Sequence, residues 1–183
     1  MPRIMPDSPL RFSLGSGQSL PCHLCWRVEE GYLRITNWSA QAETITLGIW
    51  GPGDLIIPSL IGLEPIELLT LSAVQVVETK ATPQEERRFL IDQLGQASAL
   101  LMLSRVRPVE NRLYRLLLWL GGRFGRVSRR GVSLSLQDLN LTHRHLAEIA
   151  GMTRVTVTKA LSHYRQTGMM VREGEDELLM NCP

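Results

Sequence analysis

The stretch LTHRHLAEIAGMTRVTVTKALSHYRQTGMM, from Leu141 to Met170, decides the reading of this 183-residue chain. Its spacing predicts two helices joined by a tight glycine turn. Thr142 precedes the first helix, where its hydroxyl can accept a backbone N–H of the first turn. Leu146, Ile149 and Ala150 then share one face at helical spacing. Gly151 stands where the chain leaves that helix, a position favouring left-handed angles that glycine adopts at little cost. Thr153 is placed to cap the second helix, and Val157, Ala160, Leu161 and Tyr164 form its inner stripe. Arg154, Val155, Thr156, Thr158 and Lys159 fall between those inward positions. Cations and hydroxyls on the first turns of a helix can hydrogen-bond phosphates and base edges in a major groove. The pattern is a helix-turn-helix.

Charge is distributed to match. The net charge is +2, yet residues 1–80 hold five Lys/Arg against eight Asp/Glu, whereas residues 81–183 hold fifteen against ten. Within 142–172, Arg144, Arg154, Lys159, Arg165 and Arg172 face only Glu148. A polyanion would bind the second half.

Composition sets the outer limits. With 44% hydrophobic and 21% charged residues, the chain can bury a core and does not resemble a disordered one. No apolar run reaches membrane-spanning length, and Pro and Asp interrupt the start, MPRIMPDSPLRFSL, where a signal peptide needs an apolar core. A cytoplasmic protein with no membrane partner is expected. Enzyme readings lack their residues. Residues 1–80 hold one histidine, His23, too few for a cupin metal site, and no G-x-S-x-G elbow occurs.

Outward from the helix-turn-helix, MMVREGEDELLM reads as a hairpin around Glu173–Gly174, which makes the reader a winged helix. GVSLSLQDLNL (131–141) reads as a short strand pair or an extended approach. Residues 109–125 predict a helix burying Leu113, Leu116, Leu117 and Leu120, stopped by Gly121–Gly122. The four arginines of GGRFGRVSRRG (Arg123, Arg126, Arg129, Arg130) read equally as a solvated loop or as flanking phosphate contacts. Thr82–Pro83 opens a longer helix with Glu85 and Glu86 in its first turn, where the helix dipole favours negative charge. Along it Leu90, Leu94, Ala97, Leu101 and Ser104 recur at alternating four and three residues, a seam for a second helix. Residues 13–80 break into short alternating segments bounded by Gly31 and Gly51–Pro52–Gly53, the mark of an antiparallel roll. Residues 1–12, rich in proline, read as a loose arm. The expected organisation is α+β: a roll with its arm over 1–82, a dimerisation helix over 83–107, and a winged helix-turn-helix over 108–183.

With these residues in view, the chain resembles the cyclic-AMP receptor/fumarate-nitrate regulator (CRP/FNR) family of bacterial transcription factors, over about residues 26–180. EEGYLRIT and ETITLGIWGPGDLI look like the family's strand–turn–strand run, and LTHRHLAEIAGMTRVTVTKAL is similar to its helix-turn-helix almost position for position. The resemblance implies a β-roll like a cyclic-nucleotide-binding domain, a homodimer along the long helix, a palindromic double-stranded DNA site, and RNA polymerase as a partner. It places Arg154, Val155 and Lys159 on base-reading positions, and Thr142, His143, Thr153, Thr156 and Thr158 on phosphate-contacting ones. Where many members carry glutamate, this chain has Val155, and T-R-V-T-V-T looks like the cyanobacterial nitrogen-control branch. That branch implies a GTA-like half-site, in which valine can touch a thymine methyl.

At the sensing end the chain departs from the pattern. LIIPSLIGLEPIELLTL lacks the family's G-E pair, and no arginine occurs between Arg34 and Arg87. Cyclic AMP would be buried without its charge partner, at a cost of several kcal/mol. 2-Oxoglutarate could meet Arg105 or Arg107 but would lack the roll arginine. No cofactor is therefore expected, and the effector is unassigned. Cys22, Cys25 and Cys182 are too few for a four-thiolate iron–sulfur cluster. Cys22 and Cys25 read as structural thiols, with a redox switch as the alternative, and no metal site is expected. A non-sensing winged-helix scaffold or an RNA-binding protein are the other competing functions.

Overall fold

The structure, a computed structural model, describes residues 9–38 and 43–180. The chain opens with β1 (Arg11–Leu14), β2 (Ser19–Leu20), β3 (Trp26–Glu30), β4 (Leu33–Trp38), β5 (Thr44–Trp50), β6 (Leu55–Ile56), β7 (Glu67–Thr70) and β8 (Val74–Glu78). These form two antiparallel sheets, ordered β1-β8-β3-β6 and β2-β7-β4-β5. Their inner faces meet in one cluster that includes Trp26, Val28, Leu33, Ile35, Leu68 and Val76. In β3 the alternation is the expected one, with Trp26 and Val28 inside and Glu29 outside. In β4 it fails: Leu33, Arg34, Ile35 and Thr36 are all buried. One face of β4 lines the roll, and Arg34 on the other is covered by the reader. The loose arm expected over 1–12 ends sooner, because Arg11 and Phe12 pair with Val77 and Val76 and Phe12 packs edge-on against Trp26. Residues 1–8 lie outside the described residues.

Helix α1 (Pro83–Ser104) starts as its sequence requires. Thr82 and Glu85 close a capping box. Hydrogen bonds from the Thr82 backbone and hydroxyl, then from Arg27, hold the Glu85 carboxyl down to about 2. The helix lays Phe89, Gln93 and Gln96 on the roll. Gln96 Oε1 accepts from the Ile49 amide at 2.7 Å and Gln93 Nε2 donates to the Leu47 carbonyl at 2.9 Å. Two side-chain amides thus occupy groups of β5, which lies at the edge of its sheet. The seam residues Leu90, Leu94, Leu101 and Ser104 point elsewhere and are exposed, with Ala97 half-buried.

Helix α2 (Val109–Phe124) buries Leu113, Leu116, Leu117 and Leu120 as the sequence predicts. It does not stop at Gly121–Gly122, and its cap is Gly125. Gly121 serves close packing instead, since a Cβ there would lie 2.3 Å from Val132 Cγ1. Then follow β9 (Arg126–Val127), β10 (Gly131–Leu134), α3 (His143–Ala150), α4 (Arg154–Gln166), β11 (Met170–Glu173) and β12 (Asp176–Met180). The last sheet has the order β11-β12-β10-β9, so the predicted hairpin is a wing joined to one strand of 131–141. The reader's apolar cluster includes Leu146, Val157, Ala160, Leu161 and Tyr164, and it extends into the roll through Ile49 and Leu71.

Candidate nucleic-acid interface

Each turn of the helix-turn-helix is fixed by a local hydrogen bond. Thr142 Oγ1 accepts from the His145 amide at 3.2 Å, and Thr153 Oγ1 from the Thr156 amide at 3.1 Å. Gly151 takes φ 60° and ψ 53°, which ends α3 and turns the chain into α4. Val157, Ala160, Leu161 and Tyr164 are buried, so the opposite side of α4 must face water. That side carries Arg154, Val155, Thr158 and Lys159, all exposed. Val155 is 63% exposed, an apolar group left in solvent beside two cations. Among the described residues no carboxylate pairs with Arg154 or Lys159, whereas Arg144 and Arg165 are held by Glu148 and Glu177 at 2.9 and 2.6 Å. Arg154 and Lys159 are therefore exposed cations without an ion pair among the described residues.

The hydroxyls and the histidine frame that face. Thr153 Oγ1 and Thr156 Oγ1 are 2.9 Å apart. Thr158 Oγ1 donates to the Arg154 carbonyl at 3.0 Å and lies 2.9 Å from His143 Nδ1, which ties the starts of α3 and α4 together. His143, Thr153, Thr156 and Thr158 are thus linked by local contacts beside the exposed Arg154, Val155 and Lys159. At the wing, Arg130 pairs with Glu173 at 2.7 Å, while Arg126 and Arg129 are exposed.

Arg123 is not a solvated loop residue. It lies in α2, pairs with Asp54 of the roll at 3.1 Å, and stacks over the Trp50 and Phe124 rings at 5.3 and 5.2 Å. It belongs to a seam between roll and reader that the sequence reading missed. Arg34, only 3% exposed, donates through Nη2 to Glu148 Oε2 at 2.6 Å. Burial pushes the Glu148 carboxyl up, but hydrogen bonds from Arg34 and Arg144 outweigh it and hold the group below its ordinary value. Asn140 takes φ 50° and donates through Nδ2 to the Leu71 carbonyl at 2.7 Å and to Ser16 Oγ at 3.0 Å. One signal was present: Glu148 is the lone acid in a basic stretch, the residue a buried arginine would need.

The described arginines of the roll are all engaged. Among the described residues, Arg11 pairs with Glu29, Arg27 with Glu85 and Arg34 with Glu148. Cys22 and Cys25 are free thiols, half-buried in the loop before β3. Burial pushes both up, aided by Glu67 at Cys22 and by Glu86 and Glu78 at Cys25. Protonated thiols are poor nucleophiles. Cys182 lies outside the described residues. Among those residues no group of His, Cys, Asp and Glu is placed to hold a metal ion. No helix is long and apolar enough to cross a membrane.

Similarity to known proteins agrees with this geometry. The profile of the Crp-like helix-turn-helix domain matches residues 111–180. The regulatory protein CysR of Synechococcus elongatus is 37% identical over 167 residues, 90% of this chain and 81% of that protein. The global nitrogen regulator of a Nostoc species is 32% identical over 114 residues, 60% of this chain and 50% of that protein. Among solved structures, FixK2 of Bradyrhizobium japonicum superposes with a TM-score of 0.73 at 18% identity, covering 94% of this chain and 93% of that one. A CRP/FNR transcriptional regulator of Thermus thermophilus gives 0.67 at 21% identity, covering 94% of each. The two structures share the fold, and the identity with CysR over most of both sequences carries the relationship further: the chain belongs to the CRP/FNR family of DNA-binding transcriptional regulators.

Proposed function

We propose that the protein acts in the cytoplasm as a homodimer on a palindromic DNA site, reading each half with Arg154, Val155 and Lys159 and without cyclic AMP. The observation that carries this reading is the unpaired, exposed row on α4 inside a fully capped helix-turn-helix. Arg154 is the bidentate partner of a guanine, a contact that discriminates by about 1–3 kcal/mol. Val155 has no acceptor for a cytosine amino group and fits a thymine methyl, which favours a GTA-like half-site. Thr142, His143, Thr153, Thr156 and Thr158 hold the flanking phosphates.

Dimerisation runs through the face of α1 turned away from its own roll. Leu90, Leu94 and Leu101 are 45%, 68% and 62% exposed on one stripe, with the smaller Ala97 between them and Ser104 after them allowing close approach. A groove of about 790 Å³ continues this face, lined in part by Ile45, Leu47, Ala97, Leu101 and Met152. Two such protomers would set their α4 helices about one DNA turn apart. The described roll arginines are already paired, which leaves none for a cyclic phosphate. RNA polymerase is the further partner in this reading.

Selection of binding sites from a random duplex pool tests the proposal. Recovery of palindromes with GTA-like halves is expected. A GTGA-centred palindrome would refute the role given to Val155. Equal affinity for single-stranded RNA would refute the DNA reading.

A further inference from the structure

We propose that Arg34 and Asn140 are positioning residues of the DNA reader: they fasten α3 to the roll and so set the spacing between two half-sites. This rests on the dimeric DNA-binding reading above. Arg34 lies on β4, far from the reader in sequence, yet its guanidinium meets Glu148 of α3 at 2.6 Å. Glu148 also receives Arg144 Nε at 2.9 Å, so one carboxylate is clamped from the roll and from its own helix. His145 lies in the same charged surroundings, where burial, helped by Arg34 and Arg144, disfavours a proton on it against the Asn140 carbonyl and Glu148, which favour one. Arg34 is the buried partner and Glu148 is partly exposed, so opening the contact would strand the arginine's charge, which makes it costly.

The second tie is geometrically independent. Asn140, directly before the Leu141–Thr142 start of the motif, is the one non-glycine with positive φ among the described residues. Its amide reaches the Leu71 carbonyl and Ser16 Oγ, while Ser16 Oγ also donates to Leu71 at 2.7 Å. Asparagine tolerates the left-handed region better than other non-glycine residues, and here that turn aims its side-chain amide at the roll. Together the two ties fix both ends of α3 against the roll. The roll in turn carries α1 through Phe89, Gln93 and Gln96. One path from one α4 to its copy thus runs α4, α3, roll, α1, beside the route through α2, which packs on both α1 and α4, and a single half-site spacing needs both to be stiff.

The experiment compares the unmodified chain with an Arg34→Met, Asn140→Gly double variant. Met keeps the apolar stem and leaves Glu148 paired with Arg144, and Gly accepts φ 50° without strain. Affinity is measured by fluorescence anisotropy for the best palindrome, for palindromes with spacers changed by about two base pairs, and for one half-site. The unmodified chain should prefer its best spacing, and the variant should lose roughly tenfold of that preference while keeping its half-site affinity. Thermal unfolding of the variant confirms that it is folded. A folded variant with unchanged spacing preference overturns the inference alone. An unmodified chain that binds no palindrome overturns the dimeric reading and this inference with it. The single variants Arg34→Lys and Arg34→Met add a check, since lysine should restore part of the preference if the charge pair sets it.

Discussion

Arg154 and Arg34 place the same guanidinium in opposite settings, one on the outer side of the reader and one against its inner side. Arg154 stands exposed at the start of α4, with no carboxylate among the described residues to hold it. Arg34 is buried between β4 and α3 and bound to Glu148 at 2.6 Å. Water satisfies an exposed guanidinium at little cost, so that group remains available to an external anion. A buried one must be paired within the fold, and its partner is then fixed in place. In the proposed reading the outer side of the reader is kept for DNA, and the inner side decides where that outer side points.

Breaking the inner side should have the largest effect. Glu148→Ala leaves Arg34 buried without its partner and should destabilise the fold by about 3–5 kcal/mol, read as a lower urea midpoint. A loss under about 1 kcal/mol would mean that solvent already reaches the pair. Acid should weaken the same contact. Because the Glu148 carboxyl is held below its ordinary value, its contribution is present at neutral pH and is lost as the pH falls out of the ordinary carboxylate range and through that lowered value. Amide exchange in α3 should therefore rise in acid before exchange in the roll core does.

The outer side should respond in binding and not in stability. Arg154→Ala should weaken specific DNA binding by about 1–3 kcal/mol, relax selectivity at one base pair, and leave the unfolding midpoint in place. An equal loss on all duplexes would reassign Arg154 to a phosphate. Thr153→Ala removes the cap of α4 and should cost about 1 kcal/mol of stability. Because the cap also orients the reading helix, affinity should fall with it; unchanged affinity would separate the two roles. Arg144→Ala is the smallest test. The exposed member of the clamp should cost only about 0.3–0.5 kcal/mol, and a larger loss would show that it shares Arg34's burden.

Much of the reader was legible from sequence because its signals are local. A capping hydroxyl, a glycine at the turn and a stripe at helical spacing act within a few residues of one another, and Thr142, Gly151, Thr153 and Val157 occupy the places they predict. The capping box of α1 was readable for the same reason. Gly121 was misread because two constraints produce the same residue. A helix stop and a close strand approach both call for glycine, and the Val132 methyl that distinguishes them is brought there by the fold.

By itself, then, the sequence determined the α+β order of elements, the helix-turn-helix with its wing, the exposed row on α4 and the stripe on α1. Those follow from periodicity and capping, which are properties of neighbouring residues. Tertiary structure decided that both faces of β4 are buried, that Arg123 stacks on the roll, and that Arg34 meets Glu148 across 114 positions of chain. A buried charge does not select its partner from within its own strand. It takes whichever opposite charge the packing brings within reach, and here that packing joins the roll to the reader.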